Sequence, residues 1–181
     1  MRGNLFVISG PSGSGKSTIC SLLEKEDKIK ISISATTRNK RTGEVDGVNY
    51  FFLTKEEFEK KIKENAFYEY ANVFNNYYGT LKAKVDEMLD EGYHVILEID
   101  VQGAMQIKEQ NSEAKLIFIM PPSEEELINR LTGRNTESEE QLKLRIGTAK
   151  KEISYKDKYD YVVVNDNLEK AVEELKEIIL K

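Results

Sequence analysis

The stretch Asn4-Leu5-Phe6-Val7-Ile8-Ser9-Gly10-Pro11-Ser12-Gly13-Ser14-Gly15-Lys16-Ser17 decides the architecture. Asn4–Ser9 is short and apolar and runs into a Gly/Ser cluster, the pattern of a buried strand. Gly15–Glu26 carries Ile19, Leu22 and Leu23 on one face and reads as a helix. Between them, Gly10–Ser17 fits G-x-x-x-x-G-K-[ST] at every position. Glycines let successive backbone N–H groups of residues 10–15 turn inward around phosphate oxygens, and the helix N-terminus adds partial positive charge. In that reading Lys16 bridges the β- and γ-phosphates of a nucleoside triphosphate and the Ser17 hydroxyl ligates Mg²⁺.

Working outward, a partner for Mg²⁺ is expected at the end of a neighbouring strand. His94–Ile99 reads as that strand, with Glu98 and Asp100 on the same face by period-two geometry. Asp100, acting through water, is the nominal candidate, and the choice between the two acids stays open. Further strands are expected at Ile29–Ser34, Val48–Leu53, Lys115–Met120 and Tyr161–Val164, with Thr36–Gly47 as a loop. Thr54 with Glu57, Ser123 with Glu126, and Ser138 with Gln141 have the spacing of helix N-caps. The first of these helices runs to about Asn65; others are expected at Leu81–Glu91, stopped by Gly92, and at Val101–Gln110 and Leu168–Leu180.

Strand–helix alternation at both ends predicts an α/β fold, a parallel sheet with helices on both faces. Two stretches interrupt it: 34–80, rich in aromatics and turns, and 124–148, almost purely polar and helical. The expected division is a core of 1–33, 81–123 and 149–181 carrying two excursions over one site.

Composition narrows the class. The chain has 181 residues, 27 basic against 32 acidic, a formal charge of −5. Charged residues make up 33%, above the usual ~25%, and predict a heavily solvated surface. No apolar run approaches the roughly 20 residues of a membrane span, and Leu5–Ile8 is too short for a secretory leader. One cysteine, Cys20, leaves no internal disulfide, and one histidine beside it leaves no His/Cys zinc site. A cytoplasmic setting follows from the cysteine usage, and the acidic balance argues against a nucleic-acid partner. No obligate protein partner is evident. His94 and Cys20 are expected to pack rather than to react.

Only six of the basic residues are arginine, and five fall in two windows: Arg38 and Arg41, then Arg130, Arg134 and Arg145. Arginine offers a planar fork suited to phosphate. Arg38 and Arg41 with Tyr50 and Tyr78 would hold a dianionic phosphate. Glu69 could accept from the N1–H and N2–H₂ of guanine, and Ser34 or Thr80 could donate to its O6.

The sequence here resembles the guanylate kinase family. The resemblance rests on Gly10–Ser17, on Ser34…Thr37-Arg38…Arg41…Gly43-Glu44, on Gly47…Tyr50-Phe51-Phe52, on Phe67–Tyr70 and Tyr77–Thr80, on Glu98–Gly103, on Pro121–Ser123 and on Arg130-Leu131…Arg134. It implies a P-loop NTPase three-layer fold in which 34–80 is a GMP-binding insertion and 124–148 a lid. It implies transfer of the γ-phosphoryl of ATP to GMP, with dGMP as a second acceptor, in guanine nucleotide supply. Arg38, Arg41, Tyr50 and Tyr78 would then take the GMP phosphate, and Ser34, Glu69, Thr80 and Asp100 the guanine. Arg130, Arg134 and Arg145 would close on the ATP phosphates, and Asn165 and Asp166 would form the adenine-side turn. Lys40 and Thr42 stand where the family often has prolines, and Asn135 where it usually has glycine. Two other readings stay open: a kinase for a different nucleoside monophosphate, and a catalytically silent phosphopeptide-binding relative of the family.

Overall fold

The computed structural model describes residues 1–133 and 138–181. In chain order its elements begin β1 (Leu5–Ser9), α1 (Lys16–Leu23), β2 (Ile29–Ile31), β3 (Ala35–Thr36), β4 (Phe51–Phe52), α2 (Lys55–Lys63), β5 (Phe67–Val73), β6 (Asn76–Leu81) and α3 (Lys82–Asp90). They continue with β7 (His94–Glu98), α4 (Val101–Gln110), β8 (Lys115–Met120), α5 (Glu124–Thr132), α6 (Glu139–Ile153), β9 (Tyr161–Val164) and α7 (Leu168–Leu180).

β1 is buried along its whole length. Successive strand side chains point to opposite faces, so Leu5 and Val7 enter one core while Phe6 and Ile8 enter another. The first core is closed by Val85 and Leu89 of α3 and by Val101, Ala104 and Ile107 of α4. The second is closed by Ile19, Cys20 and Leu23 of α1 and by Val172, Leu175 and Ile179 of α7. Burial pushes the Cys20 thiol pKa up, as expected of a packing residue. Between these layers lie five parallel strands in the order β2-β7-β1-β8-β9. β1 is central, so the loop after it opens at the carboxyl edge of the sheet, where open α/β sheets place their ligands.

The 34–80 stretch contains more order than its sequence suggests. It holds a four-stranded mixed sheet, β4-β3-β6-β5, in which only β3 and β4 run parallel. Its own small core is Ala35, Phe58, Phe67 and Leu81. Phe58 is stacked between Phe67 and Tyr77, with ring centroids 4.3 and 4.9 Å away. β5 and β6 form a hairpin turning at Phe74 and Asn75, both at positive φ (50° and 66°), as a two-residue hairpin turn of the primed type requires.

Three elements end or begin three residues away from the sequence reading. β2 stops at Ile31, because the chain then leaves the core sheet to supply β3. The strand expected at Val48–Leu53 shrinks to Phe51–Phe52, the part that pairs with β3. α1 ends at Leu23 and not Glu26, because Lys25 and Glu26 donate three residues back, to Leu22 and Leu23, tightening the last turn. The caps follow the sequence. Thr54–Glu57 and Ser138–Gln141 are full capping boxes, and Ser123 accepts from the Glu126 amide. α5 and α6 share a cluster of Leu127, Leu131 and Ala149, and α6 runs past residue 148 to Ile153. Among the described residues, no helix is long and apolar enough to cross a membrane.

Candidate active site

The loop between β1 and α1 is held from behind by its carbonyls. Gly10 O accepts from Lys16 Nζ at 2.9 Å, Gly13 O from Arg130 Nη1 at 3.1 Å, and Ser14 O from Asn165 Nδ2 at 2.9 Å. Gly15 O accepts from the Ile19 amide at 3.0 Å, opening the helix. Gly15 itself sits at φ 86° with the Asn165 amide nitrogen only 2.4 Å from where a Cβ would stand, so any side chain there would strain the backbone and displace the Asn165 amide. Residues 11–18, with Arg130, Asn165, Asp166 and Leu168, line a cleft of about 600 Å³. Arg145 reaches in from α6, its Nη2 donating to Ser12 Oγ at 2.9 Å. Arg134 and Asn135 lie outside the described residues.

At the adjacent strand end, Ser17 Oγ donates to Glu98 Oε1 at 2.6 Å. Asp100 is committed elsewhere, as the N-cap of α4, where it accepts from the Gly103 amide at 2.8 Å. Glu98, and not Asp100, is therefore the acid that meets the Ser17 hydroxyl.

A second polar cluster lies on the smaller sheet. Arg38 points its fork at Glu44, Nη1 to Oε1 and Nη2 to Oε2 both at 2.9 Å. Its guanidinium carbon lies 5.2 Å from the Tyr50 ring centre, and the Tyr50 and Tyr78 rings are 6.2 Å apart, edge to face. The Glu44 carboxylate also accepts from the Arg41 amide at 2.7 Å, while the Arg41 side chain is exposed. The Arg38 bonds hold the Glu44 pKa down at about 2. Nearer the core, Thr80 Oγ1 donates to Glu69 Oε1 at 2.8 Å, in a pair 2% and 7% exposed. Ser34 is half-buried just before β3, its carbonyl accepting from the Phe51 amide. α4 joins the two clusters. Burial raises the Glu69 pKa, and the Asp100 charge at the start of α4 raises it further. Gln106, further along the helix, bonds both backbone groups of Tyr70, at 3.1 and 3.0 Å.

Two polar clusters, one in the loop after β1 and one on the smaller sheet beside a buried carboxyl, accompany a match to a family whose sequence model, described as Guanylate kinase, fits residues 2–181. The chain belongs to the guanylate kinase family. It is 60% identical over 180 residues to a guanylate kinase of Clostridium perfringens strain 13, covering 99% of this chain and 83% of that one. It is 54% identical over 177 residues to one from Fusobacterium nucleatum, covering 98% and 96%. The crystal structure of guanylate kinase from Anaplasma phagocytophilum superposes with a TM-score of 0.75 at 34% identity, over 99% of this chain and 85% of that one. As a guanylate kinase the chain is a nucleoside monophosphate kinase, and phosphorylation of GMP by ATP is the reaction of its family.

Against the guanylate kinase expectations, the structure gathers residues 11–17, Arg130 and Asn165 into one cleft. It gathers Arg38, Tyr50 and Tyr78 into one cluster and pairs Glu69 with Thr80. Glu44 has no role legible in the sequence, because its grip on the Arg38 fork forms only when the loop folds back through Gly43 at φ 87°. Nor is one legible for Gly103, where a Cβ would stand 3.0 Å from Glu69 Oε2. His94 is a packing residue, as its place in an apolar strand suggests: Nδ1 accepts from the Asn4 amide and the ring meets Phe6 edge-on.

Proposed function

We propose that this chain binds ATP at the β1–α1 loop and GMP on the smaller sheet, and transfers the γ-phosphoryl group to give ADP and GDP. The observation that carries this reading is the buried Glu69–Thr80 pair beside the Arg38–Tyr50–Tyr78 cluster. A carboxylate accepts from the N1–H and N2–H₂ of guanine, edges that adenine lacks, while the arginine and phenols suit the phosphate. Ser34 and Asp100 complete the base edge, and Arg41 swings onto the phosphate from its exposed loop.

At the other cleft, the loop amides and Lys16 hold the triphosphate, Arg145 adds charge from α6, and Arg130 steadies the loop from behind, with Arg134 expected as a further lid cation. Phosphoryl transfer asks the protein mainly for alignment and charge stabilisation. The nucleophile is a GMP phosphate oxygen, already anionic because its second pKa lies near ~6. Its lone pair forms the new P–O bond as the γ-phosphorus separates from the bridging oxygen, which leaves on ADP. No side chain is needed to take a proton, and His94 lies at the amino end of β7, away from the carboxyl edge where the loop opens.

The donor set fits Mg²⁺: a serine hydroxyl and a carboxylate oxygen in contact, with no cluster of three or more acidic, His or Cys ligands among the described residues. Mg²⁺ prefers one or two protein oxygens together with phosphates and water. Ser17 would hold it directly and Glu98 through water, and when bound it supplies charge neutralisation between the β- and γ-phosphates. The single buried cysteine suits a reducing cytoplasm.

A coupled ADP-release assay with GMP, dGMP, AMP, UMP and dTMP in parallel tests the assignment. GMP is expected to exceed AMP and the pyrimidine nucleotides by at least about 10³ in kcat/KM, the scale of leaving a buried polar site unpaired. Comparable rates with AMP would overturn it.

A further inference from the structure

The phosphate loop and the turn after β9 are one mechanical unit. For a loop to present its N–H groups to an anion, its peptide planes must be rotated so that the carbonyls face away. Those carbonyls are then buried behind the loop and need donors of their own. Two come from outside the loop: Asn165 Nδ2 to Ser14 O at 2.9 Å, and Arg130 Nη1 to Gly13 O at 3.1 Å. Arg130 is in turn tied to the same turn, its Nη2 donating to Asn165 O at 3.3 Å, and is steadied by Glu126 Oε1 at 3.2 Å on Nε. The Asn165 backbone amide completes the closure by donating to Met120 O at 2.8 Å. Asn165 is 7% exposed, and its side chain lies where Gly15 leaves room for it. A residue so placed has one of its amide donors committed to the loop and its main-chain oxygen committed to Arg130.

We propose that Asn165, with Arg130, is a positioning residue of the phosphate site: it sets the peptide planes at Gly13 and Ser14, and acts on the triphosphate through the loop rather than by reading the adenine base. This rests on the β1–α1 loop being the triphosphate site, as proposed above. A base-reading role and a loop-setting role separate cleanly when the ligand has no base. Asn165→Ala should therefore weaken ATP and inorganic tripolyphosphate alike, each by about tenfold, the scale of one lost hydrogen bond to a buried carbonyl. GMP affinity should stay within about twofold on the same scale, reporting an intact fold.

Calorimetric titration of the purified chain with ATP, tripolyphosphate and GMP reads all three. Arg130→Lys, whose single ammonium cannot span two carbonyls, is a second variant at a half-exposed position and should again lower both polyphosphates together. Loss of ATP affinity with tripolyphosphate unchanged would assign Asn165 to the base and overturn the proposal. Polyphosphate affinities unchanged in both variants would overturn it as well. If the wild-type chain took up ATP but no tripolyphosphate, the loop would not be the phosphate cradle, and the parent reading would fall with this one.

Discussion

Glu69 has a carboxyl that burial pushes up to about 7, with the Thr80 hydroxyl pulling against the shift and the Asp100 charge adding to it. Near neutrality the side chain is thus divided between two forms, and only the ionised one can accept two donors from guanine. Binding GMP therefore requires the proton to leave. Affinity should rise with pH until about 7, level off above it, and fall by about tenfold for each pH unit below. The GMP phosphate titrates near ~6 and adds its own slope, so the contribution of Glu69 is read from the difference between wild type and Glu69→Gln. The variant is expected to bind GMP more weakly by about 10- to 100-fold at about pH 8, the cost of exchanging a charged acceptor for an amide. It should also lose the part of the slope centred near 7. Calorimetry in two buffers of different ionisation enthalpy should show about half a proton released from this group by the wild type on binding near that pH, and none from it in the variant. A wild-type affinity that is flat from about pH 6.5 to 8, a range in which the phosphate is already mostly ionised, would remove Glu69 from the guanine edge.

At the level of elements, α4 serves two demands that conflict at Gly103. An alanine there would favour the helix by roughly 1 kcal/mol. Its Cβ would also stand 3.0 Å from Glu69 Oε2 and 3.2 Å from Asp100 Oδ1, so at least one carboxylate must move. Gly103→Ala is expected to leave the melting temperature within a few degrees of wild type, as gain and crowding offset, while raising the KM for GMP about tenfold. The KM for ATP should not change. Thermal melts and steady-state kinetics decide it, and an unchanged GMP KM would show that the carboxylate pair is not where the base is read. The conflict is invisible in the sequence, where Gly103 follows Asp100 in an ordinary helix start. Helix beginnings are legible because a cap is a local event: Thr54 with Glu57, and Ser138 with Gln141, make their reciprocal bonds within four residues. The β5–β6 hairpin is not legible. Its turn, Phe74-Asn75, has no glycine, and an irregularity between Phe67 and Glu69 breaks the period-two pattern. The site divides the same way. The phosphate loop declares itself by spacing, whereas Glu98 and Asp100 share a face and are separated only by the capping bond that commits Asp100 to Gly103.

Across the whole molecule, the hydrophobic core is partitioned. The five-stranded sheet is packed on both faces, but the smaller sheet relies on four buried residues, Phe58 among them, and α5–α6 on three more. Local stability tracks such partition, and elements that move on ligand binding come from the weaker parts. The smaller sheet is fastened to the larger unit along β5, by Tyr68 buried against α3 with its hydroxyl on Asp86, and by the Gln106 clamp on Tyr70. β4 and most of β6 lie beyond that seam. Phe58→Ala removes the ring at the centre of the smaller core, a change that costs about 3–5 kcal/mol in a packed interior. Because those contacts belong to one sheet alone, the damage should stay there. Hydrogen exchange is expected to accelerate by at least about 10²-fold in β3, β4 and β6, the equivalent of that energy, and to stay at wild-type rates in β1, β7 and β8. GMP affinity should fall at least about tenfold with it, since Arg38, Tyr50 and Tyr78 are held by the loosened strands. ATP affinity, set by the loop after β1, should be unchanged. A uniform acceleration through both sheets would show instead that the two open as one cooperative body, and that the phosphate loop depends on the smaller sheet for its shape.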